Sequence, residues 1–300
     1  MDEATFSSSD GAEIFYRRWR PAQPARASVL IAHGASEHSG RYARFAAALC
    51  TARFAVWALD QRGHGRTGES NGPGRMGVPG RAGLLGDLRT LEQLARDDAP
   101  RAPVALFGHS MGSLISQAYA ETHGEGLAAL VLSGSLGAMD GPAELLAPLE
   151  AALDAGRGDD PIDLLGSFNT AFEPARTHFD WLSRDPREVD AYIADRFCGD
   201  SWLLTLAYVA EIIRMAGDLM TPDALARIPK TLPVLLITGE ADPASNMAVQ
   251  VRELERRLRA TGLSVTANYY ADARHELLNE TNRDDVQADV IAWLERELRV

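Results

Sequence analysis

One stretch of the sequence decides the fold: Val104-Ala105-Leu106-Phe107-Gly108-His109-Ser110-Met111-Gly112-Ser113. The apolar run at its start predicts a buried strand, and apolar residues resume at helical spacing from Leu114 to Tyr119. Glycines at 108 and 112 remove side chains where a strand and a helix would pack closely around a strained turn. The pattern therefore predicts a strand, a sharp turn at Ser110 and a helix.

A serine in such a turn is a candidate nucleophile. The amide of Met111, with the helix dipole behind it, would face the negative charge that develops on a carbonyl oxygen during acyl transfer. The same G-x-S-x-G pattern also arises by chance in loops. A serine hydroxyl attacks an ester only with a base within hydrogen-bond reach and an acid that orients this base. The partners of Ser110 therefore decide between a catalytic and a structural serine.

His275 is the best-placed candidate base among the seven histidines. It follows the last predicted strand and precedes the C-terminal helix, and imidazole titrates near the operating pH. His33 and His109 are expected to make structural hydrogen bonds instead. His64 lies in a glycine-rich turn, and His123 and His178 resemble residues at a helix end and in an inserted segment.

Asp242 is the candidate acid because it follows the apolar run Leu235 to Thr238, the strand before the last. Glu240 and Asp272 are rivals, but Glu240 lies nearer the strand and Asp272 lies in the loop of the histidine itself. Both rivals are expected to be solvated carboxylates. The chain order serine, aspartate, histidine is the order typical of the strand–turn–helix arrangement.

A second amide donor for an oxyanion is expected in the loop after the predicted strand Val29 to Ala32. The amide of Ala35 is the candidate, paired with that of Met111. The neighbouring side chains of Ser36, Glu37 and His38 are expected to form a structural hydrogen-bond network.

The composition is that of a soluble globular chain, with 46% hydrophobic and 24% charged residues in 300. A formal net charge of -12 argues against a nucleic-acid partner and against electrostatic docking to anionic lipid. No apolar run is long enough to span a bilayer, although transient contact with a membrane surface stays open. The acidic start of the chain and two cysteines without metal-ligand spacing, Cys50 and Cys198, favour free thiols in a cytoplasmic protein.

The remaining pattern predicts an α/β fold with a mostly parallel central sheet flanked by helices. An antiparallel hairpin over Thr5 to Arg18 comes first. Further strands are predicted at Ala27–Ala32, Phe54–Leu59, Val104–Phe107, Leu127–Leu132, Val234–Thr238 and Ser264–Tyr270, and helices at Tyr42–Ala52, Leu84–Ala95 and after a candidate N-cap, Asn282.

About a hundred residues before Val234 do not alternate strand and helix. They are rich in aromatic residues and are expected to form a helical cap over residues 135–227, inserted into a core made of residues 1–134 and 228–300. An insertion there would lie over the carboxyl ends of the strands, where ligands bind in open α/β sheets. A decorative helical insertion is the alternative.

These motifs resemble the α/β-hydrolases of the monoacylglycerol lipase and lysophospholipase type, which are grouped with serine aminopeptidase-like hydrolases. The resemblance rests on His33 to Tyr42, Asp60 to Gly65, Gly108 to Gly112, Gly239 to Asp242 and His275. It implies the α/β-hydrolase fold, Ser110 as nucleophile, Asp242 and His275 as its triad partners, and the amides of Ala35 and Met111 as the oxyanion hole. It implies no metal and no organic cofactor.

The sequence departs from this family at two positions. Ser36 and Ser113 stand where glycine is usual. Ser36 is expected to narrow the floor of the pocket, and Ser113 to change only helix packing. The turn from Asp60 to Gly65 is expected to brace the loops.

The function expected from the resemblance is hydrolysis of a carboxylic ester with an acyl chain, through an acyl-enzyme. An aminopeptidase or amidase of the proline iminopeptidase type is the first alternative, but the acids Asp180, Asp185, Glu188 and Asp190 are expected to be mainly exposed. A ligand-binding relative without turnover is the second. Epoxide hydrolases and dehalogenases are disfavoured because they carry aspartate at the position of Ser110.

Overall fold

The central feature of the fold is one eight-stranded sheet. The computed structural model describes residues 1–139, 141–163 and 165–299. The strands of the sheet are β1 (Asp2–Ser7), β2 (Glu13–Trp19), β3 (Ala27–Ala32), β4 (Phe54–Leu59), β5 (Val104–His109), β6 (Ala129–Ser133), β9 (Val234–Gly239) and β10 (Val265–Tyr270). Their order is β1-β2-β4-β3-β5-β6-β9-β10.

Six adjacent strands of this sheet are parallel, and the hairpin adds an antiparallel edge. β2 runs antiparallel both to β1 and to β4, whereas every pairing from β4 to β10 is parallel. The predicted α/β class, the hairpin and all six later strands are confirmed. The ends of the six later strands differ from the predicted ones by at most two residues, and the hairpin begins at Asp2, three residues before the predicted start.

Helices cover both faces of the sheet. Alternate strand residues point to opposite faces, so Leu30, Leu106 and Leu236 lie in one apolar cluster and Ile31, Phe107 and Ile237 lie in another. The first cluster packs against α3 (Gly80–Asp98), α4 (Met111–His123) and α9 (Val249–Ala260), and the second against α1 (Ala43–Thr51) and α10 (Arg283–Leu298). Continuous burial of the strands explains their apolar sequences.

The helices differ from the sequence prediction in several details: α3 extends beyond the predicted Leu84–Ala95 at both ends, and α9 was not predicted. A short helix, α2 (Gly65–Asn71), was not predicted, because its glycine-rich sequence has no apolar stripe. Asn282 does occupy the N-cap position of α10, but its side-chain oxygen accepts from Arg184 Nη2 at 3.1 Å and makes no capping hydrogen bond. None of the helices in the described ranges combines the length and the apolar character that a bilayer crossing requires.

Residues 135–227, called the inserted segment below, connect β6 to β9. Within its described residues, this segment adds no strand to the eight-stranded sheet. It contains α5 (Pro142–Asp154), β7 (Pro161–Ile162), α6 (Pro186–Ala194), β8 (Leu204–Thr205), α7 (Leu206–Leu219) and α8 (Pro222–Arg227), and β7 pairs with β8 in a separate two-stranded sheet. Both cysteines are free thiols, as predicted.

Gly112 allows α4 to approach the end of β3. A Cβ atom at this position would overlap the backbone carbonyl oxygens of Ala32 and His33, which cannot move without disturbing the strand. Gly86, on the exposed side of α3, has open space where its Cβ would lie. The two helical glycines therefore differ in what a methyl group would meet.

We expect Gly112→Ala to lower the free energy of unfolding by about 1–3 kcal/mol, the usual cost of overpacking. Gly86→Ala, the matched control, should raise it by about 0.5–1 kcal/mol because alanine favours the helix. Urea unfolding monitored by circular dichroism measures both. Equal effects of the two substitutions would contradict the close approach of α4 to β3.

Candidate active site

The parallel strands bring four candidate segments to one edge of the sheet. Ser110 follows β5, the loop with Ala35 follows β3, Asp242 follows β9 and His275 follows β10. The carboxyl ends of parallel strands all lie at the same edge, where α/β folds bind their ligands. The sheet order therefore explains how residues far apart in sequence meet.

Ser110 lies in the sharp turn that the sequence predicts. Its backbone has φ 52° and ψ -119°, a left-handed conformation rare for a residue with a side chain. The amide of Ser110 donates to the Ser133 carbonyl at 2.9 Å, and the Ser113 hydroxyl donates to the Ser110 carbonyl at 2.7 Å. Ser113 thus contacts the turn itself. The expectation that Ser113 changes only helix packing is therefore wrong. Such backbone strain costs about 1–3 kcal/mol and persists only where the surroundings hold it.

His275 and Asp242 form a buried hydrogen-bonded pair. The Nδ1 atom of His275 lies 2.9 Å from Oδ2 of Asp242, and the two residues are 2% and 0% exposed. The other carboxylate oxygen of Asp242 accepts from the Ala244 amide at 2.9 Å. Because the carboxylate accepts a hydrogen bond from Nδ1–H, Nε2 of the neutral ring carries the free lone pair.

Two opposing effects set the pKa of His275. Burial lowers the pKa, while the charge and the hydrogen bond of Asp242 raise it, and the net pKa lies above the ordinary value of 6.5. The ring is therefore poised to accept a proton. Among the hydrogen bonds of the described residues, however, none joins the Ser110 hydroxyl to His275.

The rival acids lie outside this pair. Glu240 bonds to Arg252 on the surface, and Asp272 is exposed at φ 57°. Both are solvated carboxylates, as expected. Asp242 alone of the three contacts the histidine in the hydrogen bonds of the described chain.

Ala35 and Met111, the two residues with candidate oxyanion-hole amides, line the same cavity as Ser110. Met111 is the first residue of α4, where an amide N–H has no partner within the helix. Neither amide donates to another group in the hydrogen bonds recorded for the described residues. Both are therefore available to a ligand oxygen.

The loop that carries Ala35 is held from both sides. The Gly34 amide donates to Glu37 Oε1 at 2.5 Å, and the Ser36 carbonyl accepts from the Tyr192 hydroxyl at 2.9 Å and from the Gly199 amide at 3.1 Å. Ser36 is 4% exposed and is not part of the cavity wall. The expectation that Ser36 narrows the pocket floor is therefore wrong, because its backbone faces the inserted segment.

A buried ionic network lies behind this loop. Arg41 bonds to Glu37 at 2.9 Å and to Glu276, the residue after His275, at 2.7 Å, while the Tyr42 hydroxyl donates to Glu37 at 2.8 Å. Burial raises the pKa of Glu37, but the charge of Arg41 together with His109, His33 and the hydrogen bond from the Gly34 amide outweighs burial and lowers the pKa to about 2. The structural network expected around Glu37 thus extends to the histidine loop. The i,i+4 spacing of Glu37 and Arg41 was a signal for this ion pair. The sequence held no comparable signal for the bond from Arg41 to Glu276.

The other histidines have structural surroundings. His33 Nε2 accepts from the Gln61 amide at 2.9 Å, and the ring of His109 lies 4.8 Å from that of His275. Burial, helped by His275, lowers the pKa of His109 to about 4, so this ring is neutral at pH 7. The turn after β4 braces the loops as expected, because buried Asp60 accepts from the Ser39 and Arg66 amides.

A cavity of about 390 Å³ opens beside Ser110. Its described wall is mainly aliphatic and aromatic and includes no charged side chain. The core contributes Ala35, Ser110, Met111, Pro243, Ala244, Asn246 and Gln250, and the inserted segment contributes Leu136, Met139, Leu145, Leu149, Ile162, Leu165, Ser167, Phe168, Trp181, Leu204, Val209, Ile212 and Ile213. Such a wall suits an apolar ligand.

None of the described acids of the inserted segment lies in this wall. Two of them are also more buried than expected: Asp185 is 5% exposed and caps α6, and the side chain of Asp180 is 15% exposed and accepts from the Arg176 amide. The expectation of mainly exposed acids is thus wrong for these two. Their hydrogen bonds to backbone amides and arginines explain their burial.

Within the described residues, one cluster brings three possible metal ligands within 4.8 Å of one another: His38, Asp195 and Cys198. Both ring nitrogens of His38 already have protein partners, since Nε2 bonds to Asp195 at 2.9 Å and Nδ1 accepts from the Gly40 amide at 3.2 Å. The cluster is therefore accounted for as a contact between the loop after β3 and the inserted segment.

Comparison with known proteins places this geometry in a family. The family model described as "Serine aminopeptidase, S33" matches residues 23–282. The chain is 31% identical to the monoacylglycerol lipase of Mycolicibacterium smegmatis over 293 residues, which cover 97% of this chain and 96% of the relative. It is 30% identical to the monoglyceride lipase of Rattus norvegicus, over 78% of this chain and 71% of the relative.

Solved structures agree with these matches. The structure of a thermostable carboxyl esterase from Bacillus coagulans, in complex with glycerol, superimposes with a TM-score of 0.93 at 29% identity, over 99% of this chain and 98% of the other. A structure described as a lipase in its open form has a TM-score of 0.87 at 27% identity, over 100% and 99% of the two chains. The chain therefore belongs to the serine aminopeptidase S33 family of α/β-hydrolases, together with the monoacylglycerol lipases.

Proposed function

We propose that this protein is a serine hydrolase of carboxylic esters that carry an acyl chain and an uncharged alcohol. The observation that carries the proposal is the apolar cavity that opens at Ser110, beside two free amides and the buried His275–Asp242 pair. Relatives described as monoacylglycerol lipases and a carboxyl esterase support the ester bond as the point of attack.

The proposed mechanism begins with Ser110. Its Oγ attacks the ester carbonyl while Nε2 of His275 takes the hydroxyl proton, and Asp242 stabilises the imidazolium through Nδ1. The serine hydroxyl must turn toward Nε2 for this step, and such contacts commonly tighten only when substrate binds. The amides of Ala35 and Met111 would donate to the oxyanion, and no metal is required.

The second half returns the enzyme to its starting state. His275 donates its proton to the leaving alcohol, and the acyl group remains on Ser110 as an ester. A water molecule then loses a proton to Nε2 as it attacks the acyl carbonyl. The bond from the carbonyl carbon to Ser110 Oγ breaks, the acid leaves, and Nε2 returns the proton to Oγ. Two easier steps thus replace one difficult step.

We propose further that residues 135–227 form a cap on a core of residues 1–134 and 228–300. Thirteen of the twenty wall residues of the cavity lie in the inserted segment. An acyl chain bound there would be enclosed mainly by this segment, while the reacting carbonyl would contact the core. The preference for acyl-chain length would then depend on the inserted segment, whereas the reaction itself would depend on the residues at the strand ends.

We expect a fluorophosphonate to add once to the wild-type protein and not to Ser110→Ala, as measured by intact-protein mass. His275→Ala should react at least about 10³-fold more slowly, because the hydroxyl loses its base. Glu240→Ala is the matched control for a carboxylate near the site and should react normally. Absence of an adduct on folded wild type would overturn the triad and favour a binding protein without turnover.

We expect the rate of fluorophosphonate labelling to rise with pH, with a midpoint above 6.5. Only neutral His275 accepts the serine proton, and Asp242 raises the pKa of this ring above its ordinary value despite burial. Activity is therefore lost as the pH falls through the raised pKa. The second-order rate constant between pH 5 and 9, with folding monitored in parallel, measures the midpoint. A flat profile or a midpoint below 6.5 would contradict the role of this pair.

We expect kcat/KM for a monoacylglycerol to exceed that for a lysophosphatidylcholine of the same chain by about 10–100-fold. A zwitterionic head group would lose hydration without finding a charged partner in the described wall, at a cost of about 1–3 kcal/mol. An aminoacyl anilide with a free amine should show no turnover, because no carboxylate lines that wall. A preference for the anilide would instead support the aminopeptidase alternative.

A further inference from the structure

The loop that carries His275 is held by the inserted segment as well as by the core. The Glu276 amide donates to the Leu182 carbonyl at 2.8 Å, and the His275 amide donates to the Trp181 carbonyl at 3.4 Å. Arg274 adds a bond from its guanidinium to the Asp180 carbonyl at 2.5 Å. Three consecutive residues around His275 therefore bond to backbone carbonyls of residues 180–182.

A buried carboxylate strengthens this junction. Glu280 is 0% exposed and accepts from the Arg274 amide at 2.9 Å, from the Arg184 amide at 3.0 Å and from Arg184 Nε at 2.9 Å. One side chain thus bonds to the histidine loop and to the inserted segment together. Hydrogen bonds to a buried charged group are stronger than those between neutral groups.

Trp181 brings its ring directly against the histidine at this junction. The indole lies 4.8 Å from the His275 ring between centroids, tilted by 40°, and Trp181 is 2% exposed. The same side chain forms part of the cavity wall beside Ser110. Trp181 is therefore in contact with both the candidate base and the space in which a ligand would lie.

The position of this ring depends on packing. The indole N–H of Trp181 is buried and has no hydrogen-bond partner among the described residues, whereas its backbone amide donates to Asn169 Oδ1 at 3.0 Å. Phe168 packs against it at 4.9 Å between centroids. Replacing the indole with a phenyl ring would therefore remove no hydrogen bond and keep an aromatic surface.

We propose that Trp181 is a positioning residue, which holds the plane of the His275 ring through packed aromatic contact. This inference rests on the proposed function, because it takes His275 to be the base. Asp242 fixes one nitrogen of the ring, and a single hydrogen bond still allows the ring to tilt about it. A packed aromatic surface on the ring restricts this tilt, and a misplacement of about 1 Å at a reacting group costs up to about 10²-fold in rate.

Removing the indole would also change the electrostatic surroundings of His275. The charged and titratable groups facing this ring are Asp242, Glu276, Glu37 and His109. These groups remain in a Trp181 variant, whereas water enters where the indole was. Burial lowers the pKa of His275, so exposing this ring to water by removing the indole should raise its pKa. The pH midpoint of labelling should then move upward.

The test compares Trp181→Ala, Trp181→Leu and Trp181→Phe with the control Ile193→Ala. Ile193 is an apolar residue of α6 in the same inserted segment, but it is 43% exposed and is not among the described residues of the cavity wall. A fluorophosphonate with a methyl-sized alkyl group, together with an acetate ester, probes the base without filling the cavity. A long-chain monoacylglycerol probes the cavity itself.

We expect Trp181→Ala and Trp181→Leu to label about 10–100-fold more slowly, with a lower kcat on acetate, a nearly unchanged KM and an upward shift of the pH midpoint. Trp181→Phe should stay within about threefold of wild type, since a phenyl ring can hold the imidazole. Ile193→Ala should label at the wild-type rate and leave kcat and KM on both esters unchanged, because this side chain contacts neither the described cavity wall nor His275.

Normal labelling of folded Trp181→Leu, failure of Trp181→Phe to restore the rate, or an equal loss in Ile193→Ala would overturn the proposal. If Trp181→Ala does not fold, the leucine and phenylalanine variants decide the question. Failure of the proposed function has a different signature, because wild type itself would then form no adduct.

Discussion

The close approach of α4 to the end of β3 is the constraint on which the site depends. It is possible only because Gly112 has no side chain where the carbonyl oxygens of Ala32 and His33 lie. This approach brings the first turn of α4 beside the loop after β3, so that Met111 and Ala35 line one cavity. The left-handed backbone of Ser110 is the cost of the turn, and the hydrogen bonds from Ser110 to Ser133 and from Ser113 to Ser110 hold it.

The sequence was sufficient to predict the strands and the candidate pair of His275 and Asp242. Buried parallel strands are nearly continuous apolar runs, and polar residues directly after them must meet at one edge of the sheet. The sequence was not sufficient to predict contacts such as the one between Arg41 and Glu276, which are 235 residues apart. The burial of Asp185 was also missed, because its partners come partly from α10 and spacing along the chain does not identify them.

The inserted segment has two different relations to the core. Through α5 and α7 it supplies apolar walls, whose residues can vary in size while the cavity remains apolar. Through residues 180–185 it bonds to the loop around His275, with fixed donors, acceptors and a fully buried carboxylate at Glu280. Substitutions in the first part should alter which ligand fits, whereas substitutions in the second part alter the strand-end loops themselves.

The uncharged wall of the cavity also bears on what happens to a product. An ester and the acid derived from it have nearly the same shape, but the acid ionises above its pKa of about 4–5, and its carboxylate finds no cation in the described wall. Water solvates this anion far better than an aliphatic surface does. The same wall that would retain a neutral acyl ester therefore favours the departure of the ionised acid, and inhibition by this product should be weak.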